Sequence, residues 1–225
     1  MEKLRDTGPL PRKVPSHEVT YCRLRDMILF GQLTPGQPVT IQGLTEQLDG
    51  GMTPVREAIR RLTAEGALEL QGNRRVCVPN VASAQLEELA FARLTIEPHM
   101  AKMACNALDK NDIKQLEQID GELNRAIDSG DVQRYLLNNF RFHFALYEHA
   151  RTPILLSMVR SLWLRFGPSL RVVCGRFGTS NLPDRHEEAL AAIRTRYAAA
   201  LALAIEQDIR QGIDQVRASI TKTNI

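Results

Sequence analysis

From His17 to Leu29 the apolar residues Val19, Cys22, Leu24, Ile28 and Leu29 recur near helical spacing, and Gly31 stands where such a helix can close. "TPGQPV" (34–39) reads as a turn. "TIQGLTEQL" reads as a second short helix with Leu44 and Leu48 one turn apart, ended by "DGG". A third helix is expected at Thr53-Pro54, with Thr53 offering an N-cap hydroxyl and Pro54 tolerated at the first helical position, where the missing N–H has no partner anyway. Val55, Ile59 and Leu62 share one of its faces, and Gly66 suits its C-terminal stop. "ALELQGNRRVCV" then reads as two short strands around a turn at Gly72-Asn73. Three helices and a two-stranded wing make a winged helix-turn-helix over residues 17–79.

Residues 1–16 carry Pro9, Pro11 and Pro15 among charges without apolar period, so they read as a flexible tail. Residues 80–82 follow Pro79 as a linker, and Ser83 is placed to cap the next helix. From 83 to 220 the period is helical throughout. The segments expected to be helices are 83–108 (bent at Pro98), 111–130, 131–150, 152–166, and one or two more from 183 to 220. The fold class is therefore mostly α, a winged helix-turn-helix joined to an all-α bundle.

Composition adds little by itself. Hydrophobic and charged fractions of 44% and 24% are those of a globular chain, and a net charge of +3 is too small to indicate nucleic acid. Distribution is more telling. Between Met52 and Val78 stand five arginines and no lysine, against Glu57, Glu65 and Glu69. Arg56 and Arg60 lie four apart on one helix face, suited to guanine edges or phosphates in a major groove, the alternative being a solvated face paired to Glu57 or Glu65. Arg61 lies about 100° further round and is equally compatible with a structural role. Asn73, Arg74 and Arg75 at the wing turn suit phosphate contacts. No run reaches the ~18–20 apolar residues that span a bilayer. The N-terminus lacks an apolar signal core, and Cys22, Cys77, Cys105 and Cys174 show no paired spacing. These features predict a cytoplasmic protein with reduced thiols and no membrane partner.

"TPVREAIRRLTAEGALEL", "RLRDMILFGQLTPGQPV", "ARLTIEPHMAKMA", "NFRFHFALYEHARTP" and "RHEEALAAI" together resemble the GntR family of bacterial transcription regulators, in the FadR branch with its C-terminal FCD ligand domain. The resemblance implies a homodimer on double-stranded DNA carrying an inverted repeat, contacted through Thr53, Pro54, Arg56, Arg60, Arg61, Asn73, Arg74 and Arg75. It departs from the family pattern at Met52, where an arginine is usual, at Gly50-Gly51, and at Arg75, which replaces a wing-tip glycine. It implies that Arg93 points into an effector cavity and grips a carboxylate, making a small organic acid the effector. Trp163, Arg165 and Tyr197 are further candidates for that cavity. It also implies a divalent metal, Zn²⁺, Ni²⁺ or Mn²⁺, held by Asn139, His143, His186 and Asp208. Asn139 and Asp208 stand where the family has Asp and His. His17, His99 and His149 are assigned no role.

Two other readings fit the residues less well. A metal-free sensor of a larger apolar ligand such as an acyl-CoA would need an apolar cavity. A metal-dependent enzyme would need a nucleophile or general base beside the histidines, and no H-E-x-x-H run supplies one. No catalytic residue is expected.

Overall fold

The computed structural model describes residues 16–72, 75–177 and 184–223. The expected tail lies outside these residues apart from Ser16, which opens the first helix. Helix α1 (Ser16–Leu29) buries Thr20, Leu24, Ile28 and Leu29, while Val19 remains 37% exposed. It closes at Gly31, whose φ of 68° lets its N–H reach the Ile28 carbonyl and the Gln32 N–H reach that of Met27. Helix α2 (Ile41–Leu48) is capped by the Thr40 hydroxyl, which accepts from the Gly43 N–H at 3.0 Å.

Helix α3 (Met52–Ala64) starts earlier than expected. Gly51 is the N-cap and makes no side-chain cap, so Thr53 and Pro54 are the second and third helical residues. Pro54 is harmless there because first-turn N–H groups have no intrahelical acceptor. The wing also differs. Its strands, β2 (Glu69–Leu70) and β3 (Val76–Cys77), are joined by β1 (Pro38–Val39) in an antiparallel sheet of order β1-β3-β2. The "TPGQPV" turn thus supplies an edge strand, where Pro38 loses nothing by lacking an N–H. Backbone bonds from Gly36 N to the Val78 carbonyl (2.8 Å) and from Val78 N to that of Gln37 (3.2 Å) extend the attachment.

The remaining helices are α4 (Ser83–Ala104), α5 (Lys110–Asp128), α6 (Val132–Glu148), α7 (Pro153–Phe177), α8 (Arg185–Arg194) and α9 (Ala198–Thr223). The N-cap of α4 is Ala82, not Ser83, and its N–H is satisfied by the Gln85 side chain at 3.0 Å. Helix α4 carries Pro98 inside it and stops at Ala104, short of the expected 108. Helix α7 runs past its expected end at 166 through Gly167 and Pro168 to Phe177. The last segment divides into two helices at Arg196, which takes a left-handed φ of 55°. In the bundle α4 and α8 pack on α9, α5 packs on α6, and α7 packs against α4, α6 and α9. Helix α1 lies against both α3 and α7, so the N-terminal and bundle halves touch. Among the described residues no helix is long and apolar enough to cross a membrane.

Candidate nucleic-acid interface and candidate metal centre

Burial of Val55, Ala58, Ile59 and Leu62 fixes the rotation of α3 and turns Arg56 and Arg60 outward. A groove between α3 and the sheet is lined by both arginines, by Arg75 from the wing, and by Thr40, Ile59 and Val76. Arg56 makes no ion pair or hydrogen bond with any described residue. Arg60 is held by Glu57 of the same helix at 2.6 Å. Arg61 points elsewhere. It bonds Glu18 of α1 at 2.6 Å and lies 3.8 Å over the Tyr21 ring, whose hydroxyl donates to Glu65 at 2.7 Å. Its place is the α1–α3 seam, not the groove. Thr53 and Pro54 sit in the first turn of α3, and Asn73 and Arg74 lie outside the described residues.

The second site is inside the bundle. His143 (α6), His186 (α8) and Asp208 (α9) offer ligand atoms within 4.8 Å of one another. Nε2 of His143 is 3.0 Å from Asp208 Oδ2, and Nε2 of His186 is 3.9 Å from Oδ1. Neither nitrogen completes a well-formed hydrogen bond among the described residues, although both are buried. Their other nitrogens are engaged. Nδ1 of His143 is 3.0 Å from the Tyr147 hydroxyl, whose single proton goes to Glu97 Oε2 at 2.8 Å. Tyr147 must therefore accept from His143 Nδ1–H, which leaves a bare lone pair on Nε2. Nδ1 of His186 likewise faces Asp120 Oδ1 at 3.2 Å, and the Phe142 ring stacks on its imidazole at 4.0 Å.

In their neutral forms the two imidazoles would thus turn lone pairs toward one carboxylate, an arrangement that calls for a positive charge at its centre, a shared proton or a cation. Burial lowers the pKa of His143, against the pull of Asp208. Burial acts the same way on His186 but is outweighed by Asp120 and Asp208, so its pKa is raised. Burial would raise Asp208 too, yet His143, His186 and Arg93 hold it down at about 2. An ionised carboxylate, two Nε2 atoms, and a tyrosine and an aspartate orienting the rings from behind fit a divalent cation. Asn139 is buried one turn before His143 and lines the adjoining cavity with Asp208, Arg93 and Trp163.

Arg93 is both an ion-pair member and a cavity residue. Its Nε donates to Glu97 at 2.6 Å, and its guanidinium lies 4.6 Å from the Trp163 and Phe166 rings. Of the other cavity candidates, Arg165 is instead bound to the Glu65 carbonyl at 3.1 Å, and Tyr197 is 63% exposed on the surface. Sequence reasoning missed Asp120. Its signal was a lone carboxylate on the buried stripe Leu116, Asp120, Leu123 and Ala126 of α5.

A winged helix bearing an arginine-lined groove, attached to a helical domain with a buried His-His-Asp cluster, has the build of a DNA-binding regulator. Comparisons identify the family. Residues 17–78 match the bacterial regulatory proteins of the gntR family, and residues 88–211 match the FCD domain. The HTH-type transcriptional regulator McbR of Escherichia coli is 31% identical over 176 residues, spanning 77% of this chain and 80% of that protein. The E. coli repressor RspR is 23% identical over 90% of both chains. The solved structure of E. coli McbR/YncC superposes with a TM-score of 0.86 at 27% identity, covering 92% of this chain and 100% of that one. A GntR structure from Rhodococcus sp. RHA1 shares the fold at a TM-score of 0.74 and 20% identity. The chain belongs to the GntR family, in the group that carries an FCD domain, and is a transcriptional regulator and not an enzyme.

Proposed function

We propose that the chain is a ligand-responsive repressor that binds an inverted-repeat operator as a cytoplasmic homodimer. Residues 17–79 read DNA, and residues 83–220 sense a small organic acid and dimerise. The observation that carries the DNA half is the groove in which Arg56, Arg60 and Arg75 converge from helix and wing. Repression is supported by the likeness to RspR, a transcriptional repressor of E. coli. Dimerisation is supported by Phe91 on α4 and by Ile154 and Met158 on the neighbouring α7, which are 75%, 77% and 48% exposed. Uncovered apolar side chains on adjacent helices suit a two-fold interface, and one two-fold places a recognition helix in each half-site. Two substitutions test this reading. Arg56→Ala should weaken operator binding by ~1–3 kcal/mol and relax base preference. Arg61→Ala should lower the melting temperature through the lost Glu18 and Tyr21 contacts and leave base preference intact. Competition binding against scrambled duplex separates the two, and equal effects on preference would refute the assignment.

His143, His186 and Asp208 would hold a divalent ion, Zn²⁺, Ni²⁺ or Mn²⁺, with Asn139 beside them. Bound there, the ion supplies an electrophilic anchor for an effector carboxylate. The guanidinium of Arg93, facing the same cavity, binds and orients that carboxylate, while Trp163 and Phe166 exclude water from it. The cavity is narrow, which favours a small acid over an acyl-CoA. Asp120→Asn should keep the fold but lower metal affinity about 10–100-fold, because the weaker acceptor loosens His186. Titration calorimetry with Zn²⁺ checks it, and unchanged affinity would remove Asp120 from the site.

A further inference from the structure

We infer that helix α7 positions the recognition helix directly, through a seam built on Gly167 and Arg165, while another of its faces walls the sensing cavity. The inference rests on the regulator reading above and names the residues that join its two halves.

The halves meet where the end of α1 crosses α7. A Cβ at Gly167 would lie 2.7 Å from the Leu29 carbonyl oxygen and 3.2 Å from Leu29 Cδ1. Backbone cannot retreat from such a contact as a flexible side chain can. From the opposite side, a Cβ at Gly31 would lie 2.3 Å from Arg171 Cγ on α7. A second tie reaches the recognition helix itself. Arg165 Nε donates to the Glu65 carbonyl at 3.1 Å, at the C-cap of α3. The guanidinium lies so close over Gly66 that a Cβ there would come within 2.9 Å of it. Beside the seam the halves part into a groove between Leu68, Val81, Leu89 and Leu162. Contact is therefore concentrated at α1–α7 and at Arg165.

The other relevant face of α7 carries Trp163, Phe166 and Leu170 into the cavity with Arg93. Phe166 and Gly167 are consecutive and so point about 100° apart on one stiff helix. A shift of the cavity wall at Phe166 must carry Gly167 with it. Close-packed contacts do not absorb displacement gradually, so Leu29 moves too, and α1 is packed along α3. The signal passes through this seam without needing the linker at 80–82. Gly167 and Arg165 are positioning residues for DNA recognition, distant from the bases.

Hydrogen exchange on the full chain tests this. Alanine for glycine ordinarily strengthens a helix, but Gly167→Ala should open the seam. Amides of residues 28–33 and 65–68 should then exchange about fivefold faster or more, with those of α2 unchanged. Arg165→Ala, a surface change that leaves the core intact, should speed only residues 65–68. Phe166→Leu, made on the cavity side, should alter exchange at 28–33 in the wild-type background and not with Gly167→Ala. If Gly167→Ala fails to fold, the same cycle is run with Arg165→Ala, read at 65–68. Unchanged exchange in the seam variants, or additive effects in the cycle, would overturn the inference. Failure of the wild type to prefer operator over scrambled duplex would instead sink the regulator reading and leave the exchange result standing.

Discussion

Glu97→Ala should destabilise the bundle by about 3–5 kcal/mol, a large share of the ~5–15 kcal/mol that typically holds a domain. Glu97 is fully buried and accepts from three donors, Arg93 Nε at 2.6 Å, Tyr147 OH at 2.8 Å and Trp163 Nε1 at 2.9 Å. Alanine would strand the Arg93 guanidinium, itself only 3% exposed, without a countercharge, and would orphan two neutral donors. Glu97→Gln keeps the volume and an acceptor but loses the charge, and should cost about 1–3 kcal/mol. Urea unfolding of both variants gives the comparison. An alanine variant as stable as wild type would mean the carboxylate does not hold this core together. Because Glu97 takes the Tyr147 proton that fixes the His143 tautomer, the alanine variant should also bind metal less well.

Wild-type protein should hold close to one divalent ion per chain, and His143→Ala should release it. The loss in affinity should exceed the ~10–100-fold typical of changes behind a ligand, since a ligand itself is removed. Chelator should lower the wild-type melting temperature and leave that of the variant unchanged, because a ligand bound only to the folded state stabilises it by mass action. Elemental analysis and melting with and without chelator decide the matter. Protein that purifies without metal, and takes up none on Zn²⁺ titration, would leave the two Nε2 atoms of the site to share a proton with Asp208.

Most helices were legible because their buried faces recur at helical spacing, as at Leu24 and Ile28 or Val55, Ile59 and Leu62. What escaped was set by tertiary context. The strand at Pro38–Val39 is two residues long, too short for any period, and exists only because β3 pairs with it. Gly167-Pro168 reads as a stop, yet packing on both sides of α7 carries the helix past it. At the site, His143, His186 and Asp208 lie within reach of one another, and Asn139 lines the adjoining cavity. Asp120 escaped because its partner His186 lies 66 residues away and no local spacing joins them. Arg61 shows the converse limit. Its charge matches that of Arg60, and only the position of Glu18 on α1 turns it inward.

The three-stranded sheet has a mechanical consequence. Strand β3 is the middle strand, and each of its neighbours offers two residues of pairing. With so few rungs, the height of Arg75 above the groove depends on the length of the loop that delivers Pro38 and Val39, far upstream in the chain. Deleting one residue between Thr34 and Gln37 would tilt the wing as a lintel tilts when one post is shortened. The change would be felt at the rim of the groove by a side chain nearly forty positions away.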